Sequence, residues 1–205
     1  MAKTTFAEEI YLRALTGKVV GEHILGVYNK VAVISVKNII CSAISAAAEA
    51  AFVMKTQGRA AHFIVEDGNI DEVVKEVEKF DPNAIILMFG GETSIEETKK
   101  LFVNTMNALA KSDLEADVIV HVRIFAAGGL KEAVQNKEVV DYLQSVEVYV
   151  YTVDFDHGLI LFNDVYVEDN GEIVLSKIAE IPVTVEHADL LNRSLRDKTV
   201  EWKDM

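Results

Sequence analysis

An α/β fold with a mainly parallel sheet and a C-terminal antiparallel hairpin is predicted by three observations. Short β-branched runs alternate with helical periodicities from Val31 to Val153, the pattern of β-α-β units. Two of these runs, Val31–Val36 and Ala84–Phe89, are apolar on both faces, as strands in the middle of a parallel sheet must be. Asn170-Gly171 lies between two β-like runs, 158–168 and 172–178, and Asn-Gly is a strong hairpin signal.

Along the chain, Thr5-Phe6-Ala7-Glu8 fits a capping box opening the first helix, in which each side chain satisfies a backbone donor of the other residue. Ile10, Ala14 and Leu15 recur at helical spacing, and Gly17 is expected to close the helix. A β-like stretch is read over 19–27, broken by Gly21 and Gly26. After the strand at Val31–Val36, Asn38 is placed to cap a helix carrying Ile40, Ile44, Ala47, Ala51 and Met54. Its many alanines allow close approach, to the sheet or to a second subunit. Gly58 ends it, and Ala60–Val65 reads as a strand.

Asn69-Ile70-Asp71-Glu72 opens the next helix with acids where the helix dipole favours them, and Asp81-Pro82 stops it. Gly90-Gly91-Glu92-Thr93 links the strand at Ala84–Phe89 to a long helix, with a second capping box at Thr93-Ser94-Ile95-Glu96. Val118–Phe125 is read as the next strand, 130–144 as helical with a break near Asn136, and Val146–Val153 as a strand. A last helix starts near Thr184 and carries Ala188, Leu191 and Leu195.

The predicted organisation is one α/β domain over residues 1–205, with 158–205 extending the same sheet. The β-α alternation resembles that of Rossmann-like and flavodoxin-like domains, which implies a three-layer sandwich. It implies no activity, because one fold hosts many functions. A flavin role is disfavoured: the loop after the first parallel strand, Ser35-Val36-Lys37-Asn38, is poor in the hydroxyls that hold a flavin phosphate. No motif names a cofactor.

A net charge of −13 and a pI near 4.8, with no basic run, argue against nucleic acid and against an anionic membrane surface. One cysteine, Cys41, allows no intrachain disulfide, and the N-terminal residues lack an apolar signal core, so a cytoplasmic location is expected. The apolar stretch 39–54 contains Ser42, Ser45 and Glu49, which fits a buried helix better than a membrane span.

In open α/β sheets, ligands bind beyond the carboxyl ends of the strands. Five segments should converge there: 37–38, 66–68, 90–93, 126–129 and 154–157. Gly90, Gly91, Glu92 and Thr93 form a turn into a helix N-terminus suited to an anion, although it is neither a Walker loop nor a dinucleotide loop, and Glu92 would repel phosphate. Gly128 and Gly129 form a second small-residue turn. Arg123, read as lying near the end of its strand on the same face as His121, would hold a substrate carboxylate or phosphate.

His121 is the acid–base candidate, supported by Asp154 or Glu92. Asp154, Asp156 and His157 lie within four residues and could hold a divalent cation, but a polar loop into the hairpin accounts for them and no metal is expected. Cys41, among isoleucines, reads as a buried inert thiol. The histidines at 23, 62 and 187 lack ligand-like spacing, and Tyr149 and Tyr151 read as core. The functional expectation is a small-molecule-binding protein, or an enzyme, acting on an anionic metabolite: phosphorylated, nucleotide-like or carboxylate. The alternative is a non-catalytic subunit acting through homo- or hetero-oligomer assembly.

Overall fold

The computed structural model describes residues 4–92, 94–112 and 114–196. The elements run α1 (Phe6–Val19), β1 (Lys30–Val36), α2 (Ile39–Thr56), β2 (Arg59–Val65), α3 (Ile70–Phe80), β3 (Ala84–Met88), α4 (Ile95–Leu109), β4 (Asp117–Val120), α5 (Val122–Ala126), α6 (Gly129–Ala133), α7 (Lys137–Ser145), β5 (Val148–Asp154), β6 (Leu159–Val167), β7 (Ile173–Pro182) and α8 (Val185–Arg196). The seven strands form one sheet in the order β2-β1-β3-β4-β5-β6-β7. The first five are parallel and the last two antiparallel. Strand order 2-1-3-4-5 is that of flavodoxin-like sheets, with its switch point between β1 and β3.

Alternate residues of each central strand serve opposite layers, because successive side chains in a strand point to opposite faces. In β1, Ala32, Ile34 and Val36 join a core built with α3, α4, α6 and α7. Val31 and Val33 join a second core with α2 and the segment after α1. The mixed α/β sandwich expected from the alternation is therefore the observed fold.

The N-terminal segment departs from expectation. The Thr5–Glu8 capping box forms, but Gly17 does not close the helix and 19–27 is not β. The chain continues through a π-turn, Val20–Ile24, and a 3₁₀ turn, Leu25–Val27. Close packing is the reason. A Cβ on Gly17 would lie 2.3 Å from the Ile44 carbonyl oxygen, and one on Gly21 would lie 2.2 Å from that of Ala48. Two glycines one helical turn apart thus let α1 and its extension lie directly against α2. The buried residues of α1 are Leu12, Thr16 and Gly17, not the stripe at Ile10, Ala14 and Leu15.

This contact also decides what the alanines of α2 are for. Ala47 and Ala51 face Gly17 and Gly21, so within the chain their partner is α1. Met54, expected on the buried stripe, is 85% exposed; the buried side runs through Ile40, Ile44, Ala48 and Phe52 instead. By length and composition α2 could span a bilayer, but here it packs between α1 and the sheet.

Asn38 caps α2 by accepting from the Cys41 amide at 2.7 Å, and the helix closes at Gln57 in the left-handed region. Ser94 caps α4 by accepting from the Glu97 amide, one residue later than the capping box read at 93–96. Thr93 lies outside the described residues. The break near Asn136 is real, since its side chain caps α7.

Candidate functional site

The strand read over 118–125 ends at Val120. His121 turns the chain: its Nδ1 accepts a hydrogen bond from the Arg123 amide at 3.1 Å, capping the short helix α5. His121 and Arg123 therefore do not alternate on a strand. They reach a common place because α5 starts at the carboxyl edge of β4 and carries Arg123 back over the turn that follows β3.

That place is a cavity of about 420 Å³, toward the lower end of the range usual for small-molecule sites. It opens beside the β1/β3 switch point. Gly90 and Gly91 come from the turn after β3, His121 and Arg123 from the end of β4 and α5, and Phe155 from the turn after β5. Cys41 and Ile44 of α2, Arg13 and Thr16 of α1, and Leu191 of α8 close it from the helical layer. Phe155 and Ala126 are exposed and stand at its mouth.

Of the expected site residues, Gly90, Gly91, His121 and Arg123 line this cavity, whereas Glu92, Gly128, Gly129 and Asp154 do not. Asp154 folds back on its own turn, accepting from the amides of Asp156 and His157 and pairing with the His157 ring at 2.9 Å. That contact holds its carboxyl below the usual range and raises His157. Gly129 is small because a Cβ there would lie 2.7 Å from the Ile124 side chain, which accounts for the turn by packing. The segment 66–68 also stays apart: Glu66 pairs with Lys37 at 3.1 Å and Asp67 with Lys100 at 3.7 Å. Among the described residues, no three His, Cys, Asp or Glu side chains converge to hold a metal ion.

Two guanidiniums line the cavity. Arg123 is 5% exposed and donates to the Gly91 carbonyl. Arg13 is half-buried beside Glu9, its partner at 3.2 Å, and desolvation lowers its pKa from the ordinary arginine value. The described lining thus holds two guanidiniums and no carboxylate. His121 is buried edge-on against the Tyr151 ring. Burial, reinforced by the charges of Arg13 and Arg123, pulls it down to about 3. Its Nδ1 is occupied by the Arg123 amide and the ring also hydrogen-bonds the Phe89 backbone. It is a neutral ring that positions α5, and therefore Arg123. Burial pushes the Cys41 thiol up, which keeps it in the inert form.

Sequence reasoning missed Arg13, Thr16 and Leu191, all contributed by helices. A signal was present: Arg13 stands among Leu12, Ala14 and Leu15 with Glu9 one turn before it, the mark of a charge carried into a core with its partner. A second cluster, Ser35, His62 and Glu49, has the order of an acyl-transfer triad, with Ser35 Oγ 2.7 Å from His62 Nε2 and His62 Nδ1 3.2 Å from Glu49. Ser35 is fully buried, however, so no substrate reaches it. The cluster ties β1, β2 and α2 together, and burial pushes Glu49 up to about 7.

Comparison with known proteins adds the following. No curated protein matches the chain. A solved structure described as a branched-chain amino acid ABC transporter, from Rhodospirillum rubrum, is 23% identical with a TM-score of 0.46. The match covers 68% of this chain and 37% of that one, so the chain spans little more than a third of its length. The profile of a family described as "Uncharacterized protein" matches residues 9–190. That match takes in the whole sheet and all the described cavity lining except Leu191, and on it the chain belongs to that family.

Proposed function

We propose that this protein binds a small anionic molecule in the cavity at the β1/β3 switch point. One observation carries the reading: the guanidiniums of Arg13 and Arg123, from different layers of the fold, line one mostly apolar cavity at the carboxyl edge of the sheet. Each guanidinium already has a partner, Glu9 for Arg13 and the Gly91 carbonyl for Arg123, and an anion reaching them would add charge-assisted hydrogen bonds, which are stronger than neutral ones. The acidic surface elsewhere makes this inward positive charge the more specific.

Binding, rather than acid–base chemistry, is what the geometry supports. His121 is neutral and engaged by backbone, Cys41 is held as a thiol, and Asp154 is committed to its own turn. A thermal-shift screen of nucleotides, sugar phosphates, carboxylates and metals tests the reading, since a ligand specific to the native state raises the melting temperature. Arg123→Gln, with its fold checked by circular dichroism, should abolish the shift given by any anionic hit. An unchanged shift would remove Arg123 from the site.

A second reading, assembly into homo-oligomers, is favoured by the edge of β7, beyond which no strand lies among the described residues and where Val174, Leu175 and Ile178 are exposed. Unpaired apolar edge strands are templates for pairing. Light scattering after size-exclusion chromatography decides this; a strict monomer at working concentration argues against it.

A further inference from the structure

The buried leucines of α8 belong to neither of the two main cores. Leu190 and Leu191 form a small third cluster with Leu12 of α1, against which Leu15 and Val153 pack. This cluster borders the cavity, since Leu191 lines it together with Arg13 and Thr16 of α1 and Val153 of β5. Among the described elements, the main contact of α8 is α1.

The other ties of α8 to α1 are polar. His187 meets Thr16 Oγ1 at 3.0 Å, Arg193 donates to Glu8 at 2.7 Å, and Ser194 donates to Glu9 at 3.0 Å. The Tyr11 hydroxyl reaches Glu186 at 3.4 Å in an exposed position. Beside Leu191, the Asn192 Oδ1 atom is buried and has no hydrogen-bond partner among the described residues. A buried acceptor left unbonded carries a desolvation cost, and that cost is relieved when the helix lifts.

The root of α8 is held more firmly than its body. Val183 packs against the second main core, and its amide donates to the Gly158 carbonyl at 3.0 Å. Thr184 Oγ1 accepts from the His187 amide at 3.2 Å and so starts the helix.

We infer that α8 is a lid over the cavity, hinged at Val183-Thr184, which lifts from α1 as a unit while the sheet and its two main cores stay folded. Segments with few buried apolar contacts open at lower free energy than the whole chain unfolds, and lids that gate sites are drawn from them. The lid regulates access to the cavity proposed above as the binding site; it rests on that cavity and not on the charge of what enters it.

Cys41 supplies the probe. It is the single cysteine of the chain, lines the cavity and is 3% exposed. Burial also pushes its thiol up, so it is protected while the cavity is closed and reacts when it opens. The experiment is N-ethylmaleimide labelling of the full chain, without ligand, followed by mass spectrometry across sub-denaturing urea concentrations. Wild-type labelling should be far slower than that of the urea-unfolded chain and should depend weakly on urea, because lifting one helix exposes little surface. Leu190→Ala should speed it at least about tenfold, and Arg193→Gln about threefold. Phe102→Ala, in the first main core, should leave this rate unchanged while lowering global stability.

Labelling that follows the full urea dependence of unfolding, or that Phe102→Ala speeds as much as Leu190→Ala does, means that Cys41 is reached by unfolding and overturns the lid. Wild-type labelling as fast as that of the unfolded chain means that the cavity stands open, and overturns it too. If neither α8 variant changes a weakly urea-dependent rate, the reagent enters by another route and the lid falls. Should Leu190→Ala not fold, Arg193→Gln and the wild-type urea series decide. Because no ligand is used, none of these outcomes bears on the anion reading, and a flat thermal-shift screen would leave the lid standing.

Discussion

The two faces of the sheet are packed on different principles. On one, α3, α4, α6 and α7 close over an unbroken apolar core that includes Phe89, Phe102, Leu109 and Val150. On the other, α1, α2 and α8 cover the sheet less completely. There Arg13, Thr16, His121, Arg123 and His187 are all drawn inside, and a cavity remains at the carboxyl edge. The closed face follows periodicity, with apolar residues at most inward positions and small polar ones such as Thr98 and Thr105 of α4 among them. The cavity face is built by exceptions to it: charged or polar groups at inward positions, each held by a specific partner. Stability should therefore be concentrated on the first face and ligand response on the second.

The largest test of that contrast is Phe102→Ala. Phe102 is fully buried and packs edge-on against Phe89 at 5.5 Å between ring centroids. Its loss should cost about 3–5 kcal/mol in urea unfolding, and comparable damage from Phe155→Ala at the cavity mouth would break the comparison.

Next comes pH. His187 is 2% exposed, lies 3.0 Å from Thr16 Oγ1, and is pulled down to about 4 by burial. A depressed folded pKa means that the neutral ring's contribution is complete above the unfolded value near 6.5 and is lost as pH falls through about 4. The difference amounts to roughly 3 kcal/mol. His187→Gln should flatten the fall in urea midpoint between pH 6.5 and 4, relative to wild type. A parallel fall in the two proteins would show that α8 is not held this way.

Gly21→Ala, whose Cβ would lie 2.2 Å from the Ala48 carbonyl oxygen, should destabilise by about 1–3 kcal/mol through overpacking. A neutral result would mean that α1 can slide on α2. A smaller effect is expected from Tyr142→Phe on the closed face. The Tyr142 hydroxyl is buried without a hydrogen-bond partner, and burial raises its pKa. Removing an unsatisfied polar atom should leave stability unchanged or raise it by about 1 kcal/mol. Phe155→Ala should move stability by less than about 0.5 kcal/mol, as substitutions at exposed positions usually do, while weakening binding of any ligand that enters the cavity it borders.

Reading the closed face from the sequence worked because both of its periods are local. Ala84–Met88 is apolar at every position, and Val73 and Val77 repeat along α3 as a helix facing a sheet must. The cavity face was legible only in part. Arg123 and His121 stood out as polar residues in an apolar run, so the site was found, but the element carrying them was misread. A hydrogen bond between the His121 ring and a backbone amide two residues on ended the strand, and no propensity signals that bond. Gly17 and Gly21 were misread for a related reason. A glycine ends a helix when its backbone turns left-handed, and continues one when a neighbouring helix comes too close for a Cβ. Which of the two applies depends on a partner about 30 residues away.

By itself, then, the sequence determined the fold class, the hairpin, most of the helix caps and the alternation that sorts residues between two layers. Each of these is set by interactions within a few residues. The tertiary structure decided strand order, the pairing of α1 with α2, and which polar residues share a cavity. Arg13 and Arg123 are 110 positions apart in the chain, and they meet because the β1/β3 crossover and the α1–α2 contact bring both helices over the same sheet edge. Such contacts carry no local signature, since the free energy that fixes them comes from apolar surface buried between distant segments.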